Sequence, residues 1–570
     1  MEIGSPVGVV LWPPPGPNLA RTVTYTGVVS QTLRHYGVPY AEIAPEGLEA
    51  ALPAISVLIT VGETADADLM KSVAGWVEQG GILIAVGGAS GRPDLFGVSR
   101  EAPAYSSWGG SLGMTGEGYL AVDGAHPVTD HVRKPLHFFN GGAFRPEPDA
   151  RVLAWALDAH QRETSERAAV VETSRGKGRC LLVAPDVPGS IVRIRQGIAV
   201  HHDGVPAPDG TGPICDEVLK SGDGGVLDWA FDRDDVDGVP GFRAFLEPVA
   251  DRWAELLVRA VLWGASTAGV RLPLLWLYPR NLPALALLTH DSDGNDPTKA
   301  QSLLRVLEQA RLRSTWCVMY PGYPPETVSA ILAARHEPAF HYDAMSDGTA
   351  WSSQEFARQY RRIADHFGAA PVTNKNHYLR WEGDLEGFEW CIAHGIRVDQ
   401  SKGASKTGEA GFNFGSCHPY RPVRRNGAEL PILEIPTPTQ DLIVFAPPAI
   451  ARELQKAVLT CHGIHHLLFH PAHIETAGVA EALIEAVDHA RAAGMEWWTA
   501  VQVADWEEAR LGCTWSRRGD AWEIAASSNL PDASVLWLDP DGPTERWGFG
   551  FRPEVRDITA GTTCPLGGTD

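Results

Sequence analysis

The sequence predicts an α/β protein with two successive series of parallel strands and a small β unit at the C-terminus. Short apolar runs alternate with helical periods from the N-terminus onward, and a second such series begins at Leu285. After Gly512 the helical period gives way to alternating residues and turn signals. Strands that alternate with helices imply a parallel sheet. At about 100–200 residues per domain, 570 residues make about three domains, and we expect them at residues 1–270, 271–511 and 512–570.

The first series consists of apolar strands separated by amphipathic helices. Residues 7–12 (V-G-V-V-L-W) and 57–62 (V-L-I-T-V-G) are predicted strands, and the helix between them is expected to end at Gly37. Asp66 or Asp68 is the expected cap of the next helix, after which I-L-I-A-V-G-G forms a further strand. This region is therefore expected to contain a parallel sheet.

A stretch rich in Gly, Asp and Pro follows at about residues 197–240. It contains D-R-D-D-V-D-G at residues 232–238, whose alternate carboxylates are typical of a cation-binding loop. The EF-hand spacing is absent, so we expect a solvated turn rather than a calcium site. A helix near residues 250–265 and a linker precede the second series.

Composition and charge limit the classes of partner. The net charge of −22 works against binding to nucleic acid or to anionic membrane surfaces. Neither a run of about 20 apolar residues nor a signal peptide is recognisable, so no membrane association is expected. Eight sparse cysteines, none in C-x-x-C spacing, favour a reduced, cytoplasmic setting. The sequence does not specify an oligomeric state.

Polar clusters follow four apolar strands of the second series. In (β/α) barrels the catalytic groups lie at the C-terminal ends of the strands, and these clusters combine carboxylates, imidazoles and cations. That inventory suits a divalent metal bound by His and Asp, with a separate base and acid. The clusters are T-H-D-S-D-G (289–294), F-H-Y-D-A-M-S-D-G (340–348), N-K-N-H-Y-L-R-W (374–381) and L-L-F-H-P-A-H (467–473).

The two carboxylates of D-S-D can divide the work of a hydrolysis. One ligates a metal, and its neighbour holds or deprotonates the water that the metal activates. Bound Zn²⁺ lowers the pKa of water from 15.7 to about 7, so hydroxide becomes available at neutral pH. A histidine across the site can protonate the leaving amine.

The order of the clusters resembles the polysaccharide deacetylase (NodB-like) family over residues 285–510. L-L-T-H-D-S-D-G resembles the family's first motif, T-F-D-D-G; R-H-E-P-A-F-H-Y-D-A-M resembles the second, and H-L-L-F-H-P-A-H the last. The resemblance implies an irregular (β/α) barrel and metal-dependent hydrolysis of N- or O-acetyl groups on sugars. The roles that it implies are the base for Asp291, metal ligands for Asp293 and His341, and the acid for His470.

The chain departs from this family at two positions of the site. The family's second metal-ligating histidine falls at Met345, and a thioether is a poor ligand for a borderline divalent ion. His377 is our first choice for the missing ligand because its motif occupies the next strand end, and Asp343 is the second. The arginine that orients the base in the family must be replaced by Lys375 or Arg380, of which we favour Arg380.

The N-terminal region resembles the class I glutamine amidotransferase-like domains, which have a flavodoxin-like architecture. The likeness is one of strand–helix pattern. Where that class carries its nucleophile, this chain has I-A-V-G-G-A-S-G-R-P-D, with no cysteine between Ile82 and Asp94. We therefore expect no amidotransferase chemistry there.

The expected function is that of a metal-dependent hydrolase, with Zn²⁺ as cofactor, that removes acetyl groups from an N- or O-acetylated saccharide. Two alternatives stay open at this point. A non-catalytic carbohydrate-binding or scaffold protein would keep the barrel without a working metal site, and Met345 favours it. A metal-dependent amidase acting on a non-sugar substrate would use the same groups, since the 19 tryptophans fit core packing as well as sugar stacking.

Overall fold

Two large β-sheets and a smaller C-terminal β unit organise the computed structural model, which describes residues 4–13, 25–100, 114–142, 144–158, 164–204, 214–519 and 521–567. Both large sheets contain parallel strands with helices packed on them, so the expected α/β class is confirmed. None of the described helices combines the length and the apolar character needed to cross a membrane.

The first half of the chain contributes thirteen strands and five helices to the described residues. The strands are β1 (Val7–Leu11), β2 (Ala41–Glu42), β3 (Val57–Val61), β4 (Ile82–Val86), β5 (Val98–Arg100), β6 (Met114–Val122), β7 (Leu136–Gly142), β8 (Phe144–Pro146), β9 (Arg151–Asp158), β10 (Thr164–Arg175), β11 (Gly178–Val183), β12 (Asp234–Asp235) and β13 (Arg243–Ala244). The helices are α1 (Val28–His35), α2 (Leu48–Ala51), α3 (Ala67–Glu78), α4 (Val187–Gln196) and α5 (Val249–Thr267).

The first sheet has a parallel half and an antiparallel half. Its strand order is β2-β1-β3-β4-β11-β10-β9-β6-β7. Neighbours from β2 to β11 are parallel, in the 2-1-3-4-5 order of a doubly wound sheet when β11 is counted as the fifth strand. Neighbours from β11 to β7 are antiparallel. The sequence pattern did not predict this antiparallel half, in which β10 turns back directly into β11 without a crossover helix.

The loop after β4 satisfies its polar groups internally. Glu63 accepts hydrogen bonds from the backbone N–H groups of Ala89 at 2.9 Å and of Gly91 at 2.6 Å. Ser90, between them, is fully buried with φ at 50°, and its hydroxyl donates to Thr60 Oγ1 at 2.7 Å. The backbone N–H groups of Ala89 and Gly91 therefore face a carboxylate of the same chain rather than a substrate.

The second half of the chain begins with alternating strands and helices and ends in strands alone. The alternating part contains β14 (Pro273–Leu275), β15 (Leu285–Asp291), α6 (Pro297–Gln309), β16 (Thr315–Met319), α7 (Pro325–Ala333), β17 (Glu337–Tyr342), α8 (Ser353–Phe367), β18 (Thr373–Asn376), α9 (Glu386–Ala393), β19 (Val398–Asp399), β20 (Leu433–Glu434), α10 (Ala449–Cys461), β21 (Ile464–Leu468), α11 (Val479–Ala492), β22 (Glu496–Trp498) and α12 (Ala500–Leu511). The final strands are β23 (Cys513–Arg518), β24 (Ala521–Ala526), β25 (Leu530–Leu538), β26 (Thr544–Arg546), β27 (Phe549–Ile558) and β28 (Thr563–Leu566).

The second large sheet is an open barrel of eight parallel strands. Its order is β20-β19-β18-β17-β16-β15-β21, and β22 also pairs with β15. No ladder among the described strands joins β20 to β21 or β22, so the ring stays open on that side. Because the strands are parallel, their C-terminal ends meet at one face of the barrel. The register sets His341 of β17 directly beside Lys375 of β18.

Strand β15 is buried along its whole length, from Leu285 to Asp291. Leu285 and Leu287 belong to the apolar core that the barrel shares with the first sheet, whereas Ala286 and Leu288 belong to the core beneath the barrel helices. This alternation of two buried faces is the reason that the strand reads as a continuous apolar run. Its polar end therefore lies at the C-terminal face of the barrel.

Helix α5 lies between the first sheet and the barrel. It is buried from residue 249 to residue 265 and contacts β3, β4, β7 and α10. The C-terminal unit consists of the antiparallel sheet β14-β25-β27-β26 and the three-stranded sheet β23-β24-β28. Strand β14 thus pairs with the C-terminal unit, although the sequence placed residues 273–275 with the barrel.

Candidate active site

The three predicted metal ligands meet at the C-terminal face of the barrel. Asp293 follows β15, His341 lies in β17, and His377 follows β18. His341 Nε2 is 3.3 Å from Asp293 Oδ1, and His377 Nε2 is 3.6 Å from Asp293 Oδ2. One donor atom from each of the three lies within 4.8 Å of the others. The first choice for the missing ligand, His377, is therefore adjacent to the other two candidates.

A hydrogen bond at Nδ1 fixes the ring of each of the two histidines. His341 Nδ1 donates to the backbone carbonyl of Lys375 at 2.8 Å, and His377 Nδ1 donates to Asp343 Oδ1 at 3.0 Å. These bonds leave each Nε2 facing Asp293, and such partners usually fix the tautomer of a metal-binding histidine. Asp343, the second choice for the missing ligand, thus orients the ring of His377 through a hydrogen bond to Nδ1.

The charges of this cluster shift the pKa values of its members. Burial disfavours the carboxylate of Asp293, but hydrogen bonds from His341 and His377 outweigh it and hold the pKa of Asp293 far below its ordinary value. Burial likewise disfavours the imidazolium of His377, yet Asp293 and Asp343 raise its pKa to about 9. Asp293 therefore stays ionised across the physiological range, as a metal ligand must.

Arg380, the sequence-based choice for orienting the base, lies apart from it. Its guanidinium donates to Glu382 at 3.0 Å and to the backbone carbonyl of Ala344, and lies 3.4 Å from the sulfur of Met345. Arg380 follows a turn at the end of β18 in which Tyr378 has φ at 59°, so its side chain is not carried by the strand. The sulfur of Met345 is correspondingly engaged outside the ligand cluster.

Lys375, the alternative considered for that role, is the cation beside Asp291. Its ammonium lies 3.4 Å from Asp291 Oδ1 and donates to Thr289 Oγ1 at 2.6 Å. Both Lys375 and Asp291 are buried, and Asp291 Oδ1 has no hydrogen-bond partner among the described residues. Asp291 Oδ2 is 4.0 Å from His341 Nε2. The carboxylate thus borders the ligand cluster with an acceptor oxygen available.

A buried carboxylate holds His470 beside the ligand cluster. His470 Nδ1 donates to Asp441, whose other oxygen accepts the backbone N–H of His470 at 2.8 Å. His470 Nε2 lies 3.7 Å from Asp293 Oδ2. Burial disfavours the imidazolium, but the charge of Asp441 and this hydrogen bond raise the pKa of His470 to about 9. His470 is therefore a protonated donor aimed into the site.

Asp441 is the residue of this site that the sequence reading missed. It lies in a long segment between β20 and α10 that has neither helical nor alternating periodicity. The only signal in the sequence is an isolated aspartate before the apolar residues L-I-V-F-A.

His290, which the sequence left without a role, is a packed residue beneath the site. Its Nδ1 donates to the backbone carbonyl of Phe469 at 2.8 Å, and its Nε2 pairs with Ser314 Oγ at 2.9 Å. Complete burial lowers the pKa of His290 to about 3. It therefore stays neutral and ties β15 to its two neighbouring strands.

The candidate groups open into a cavity of about 470 Å³. Asp291, Asp293 and His470 form part of its lining, and His473 lies beside them. Among the aromatic residues that line it, Tyr378 is 51% exposed and Phe445 is 58% exposed. The candidate base, one candidate ligand and the candidate acid thus all line one cleft.

No protein-family model matches the chain, and no curated protein matches it. Among solved structures, a protein assigned as a polysaccharide deacetylase from Mycobacterium smegmatis shares 17% identity, over 40% of this chain and 91% of that one, with a TM-score of 0.32. A family 4 carbohydrate esterase from Streptomyces lividans shares 17% identity, over 38% and 91%, with a TM-score of 0.25. A β-galactosidase from Bacillus circulans sp. alkalophilus shares 14%, over 34% and 31%, with a TM-score of 0.24. These likenesses are partial and do not define a family for this chain.

Proposed function

We propose that the chain is a metal-dependent hydrolase that removes acetyl groups from an N-acetylated or O-acetylated saccharide. One observation carries the proposal: two flanking pairs, Asp291 with Lys375 and His470 with Asp441, border a cluster of one aspartate and two histidines in a single cleft. This combination offers a base, an acid and a metal-binding group to the same substrate.

The donor set fits a divalent metal. Asp293, His341 and His377 offer one carboxylate oxygen and two imidazole nitrogens, the ligands that catalytic zinc sites use while leaving one position open. When bound, Zn²⁺ polarises a carbonyl oxygen and makes hydroxide available at neutral pH. His341 and His377 each offer one ring nitrogen, so His377 replaces the ligand that is missing at Met345.

The protein's own groups move the protons of the reaction. Asp291 accepts a proton from the attacking water, and the ammonium of Lys375 lies 3.4 Å from its carboxylate and keeps it in position. His470 donates a proton to the departing amine or alkoxide, while Asp441 keeps the imidazole oriented and charged. Asp291 and His470 line the same cavity as Asp293, so a base and an acid can serve an addition followed by an elimination.

The finer architecture is part of this proposal. Residues 271–511, apart from β14, form an irregular (β/α) barrel of the polysaccharide deacetylase kind, and residues 512–570 together with β14 form a small β domain. Residues 1–270 form a non-catalytic, amidotransferase-like domain, which the satisfied loop around Ser90 supports.

Acetate release tests this function. Zinc-loaded and chelator-treated protein is assayed on N-acetylated oligosaccharides, O-acetylated sugars and small acetamides, with Asp291→Asn as the inactive control. We expect metal-dependent acetate release from the saccharides, lost in the Asp291→Asn variant without loss of metal. Turnover of the small amides alone would establish the amidase alternative, and no turnover with no bindable metal would establish the scaffold alternative.

A further inference from the structure

A segment from outside the barrel forms one side of the cleft. This connecting segment (residues 197–204 and 214–246) joins α4 to α5 and includes most of the stretch rich in Gly, Asp and Pro. It carries Phe242, a half-buried residue that lines the same cavity as Asp291 and Asp293. The cleft therefore has a wall that the barrel itself does not supply.

The connecting segment is fixed to the barrel by a buried ion cluster. The Lys406 side chain is 1% exposed, and its ammonium lies 2.7 Å from Asp223 Oδ1 and 3.5 Å from Asp216 Oδ1. Asp203 pairs with the same ammonium. An ammonium surrounded by three carboxylates has its charge fully compensated. This arrangement holds the segment as a wall rather than as a lid.

Backbone pairing adds to this attachment. Val200 and Gly383 exchange two N–H···O bonds of 2.8 and 2.9 Å. The N–H of Phe245 donates to the carbonyl of Ala410 at 2.9 Å, and the carbonyl of Phe245 accepts the N–H of Phe412 at 2.7 Å. Ser221 Oγ accepts the N–H of Gly403 at 3.3 Å. The segment is thus joined to two separate loops at the mouth of the barrel.

Two exposed aromatic residues of the barrel line the same cavity as Phe242. Tyr378 lies in the turn after β18, where its positive φ is unfavourable for a residue with a side chain. The ammonium of Lys220, from the connecting segment, lies 5.1 Å from the centre of the Tyr378 ring. Phe445 lies near His473, with ring centres 5.4 Å apart. Large apolar rings held open to water in a cleft are typical of binding surfaces.

The charges of the cleft favour a neutral ligand. Lys406 is the only lysine or arginine among the described residues that line the cavity, and its charge is compensated by the three aspartates. The remaining charged groups of the lining include the carboxylates of Asp291 and Asp293 and the imidazole of His470, which is paired with the buried carboxylate of Asp441. A polyanionic chain would meet no uncompensated lysine or arginine there.

We infer that Phe242, Tyr378 and Phe445 form a specificity subsite that binds the sugar rings next to the reacting residue in a neutral, N-acetylated oligosaccharide. This inference rests on the proposed function and adds to it the substrate class. The flat apolar face of a pyranose packs against an aromatic ring, and a contact of about 0.5–1.5 kcal/mol corresponds to about a 2- to 13-fold effect on binding.

The experiment compares chain lengths. Values of kcat/KM are measured for β-1,4-linked N-acetylglucosamine tetramer and monomer, and for an N-acetylated oligomer that contains uronate units. We expect Phe242→Ala to lower the tetramer-to-monomer ratio of kcat/KM by about 5-fold. Phe445→Ala is also expected to lower this ratio. Because Phe445 is exposed, its removal should not disturb folding. Leu332→Ala, at an exposed position of α7, is the control and should leave the ratio unchanged.

The outcomes separate this inference from the proposed function. Turnover with a ratio that neither variant changes, or a preference for the uronate oligomer, would overturn the inference and leave the function intact. If no saccharide is turned over, the proposed function fails, and calorimetric titration of the tetramer decides the inference. Binding that weakens about 5-fold in Phe242→Ala would support the subsite, whereas absent or unchanged binding would overturn it.

Discussion

His377 Nε2 lies 3.6 Å from Asp293 Oδ2, so a histidine from the end of β18 joins a carboxylate from the end of β15. The position at which the resembled family has its second histidine holds Met345, whose sulfur faces the guanidinium of Arg380. Under the proposed function, His377 at the next strand end supplies the ligand that is missing at Met345. A site formed by Asp293, His341 and His377 would then offer one carboxylate and two imidazoles despite the methionine at position 345.

Exchange of Lys375 for methionine should lower kcat by at least about 100-fold, the contribution of a working general base. The buried ammonium lies 3.4 Å from Asp291, and its removal takes away the charged group that positions that carboxylate. Metal content and the unfolding midpoint are measured alongside kcat. Arg380→Met is the matched control and should change kcat by less than about 10-fold. A larger loss in Arg380→Met than in Lys375→Met would restore Arg380 as the residue that orients the base.

Asp441→Asn should lower kcat by about 100-fold or more while leaving metal binding intact. Without the carboxylate, the imidazole of His470 loses both its orientation and the charge that raises its pKa to about 9. Metal content and acetate release are the two readouts. Full activity of Asp441→Asn would show that His470 does not act as the acid through this pair.

Asp343→Asn should weaken metal binding by about 10- to 100-fold, the usual effect of removing the partner behind a ligating histidine. The carboxylate accepts from His377 Nδ1 at 3.0 Å and keeps Nε2 facing Asp293. Competition with a chromogenic chelator measures the change. Stronger metal loss in Asp343→Asn than in His377→Ala would mean that Asp343 is itself a ligand.

The stability of the first sheet should depend on pH through His137. Burial disfavours its imidazolium, but Asp232 at 2.8 Å and Glu117 at 2.7 Å raise its pKa to about 9, from an ordinary 6.5. Because the folded pKa is raised, this stabilisation is complete below pH 6.5 and is lost as the pH rises through 9. The loss amounts to about 3 kcal/mol at most, since Glu117 is partly exposed and its charge is screened.

Urea unfolding between pH 6 and 10 tests this dependence, with His137→Gln as the comparison. The difference in unfolding free energy between the two proteins should shrink as the pH rises. Parallel pH profiles would contradict the assignment of this charge to His137.

The sequence predicted the parts of the fold that follow from a local pattern of apolar and polar residues. The strand β15 and its polar end follow from a continuous apolar run, and Asp293, His341 and His377 follow from their positions after such runs. The antiparallel strands β6 to β10 escaped prediction because pairing between strands depends on contacts distant in sequence.

The differences between the expected and the observed contacts at the site have the same origin. Lys375 rather than Arg380 stands beside Asp291 because the ladder between β17 and β18 fixes its position, and that register is not visible in the spacing of residues. The D-R-D-D-V-D-G stretch was expected to be solvated, yet Asp232 is buried against His137 from another sheet strand. Asp441 and Phe242 lie in segments without periodicity, so only the fold brings them to the cleft.

The stoichiometry of bound zinc tests the central claim most directly. Purified protein is stripped with a chelator, titrated with Zn²⁺ and analysed for metal, beside His377→Ala and His473→Ala. We predict one zinc per chain in the wild type and in His473→Ala, and a loss of tight binding in His377→Ala. A wild-type protein that binds no zinc, or a His377→Ala variant that binds it as tightly as the wild type, would contradict the account.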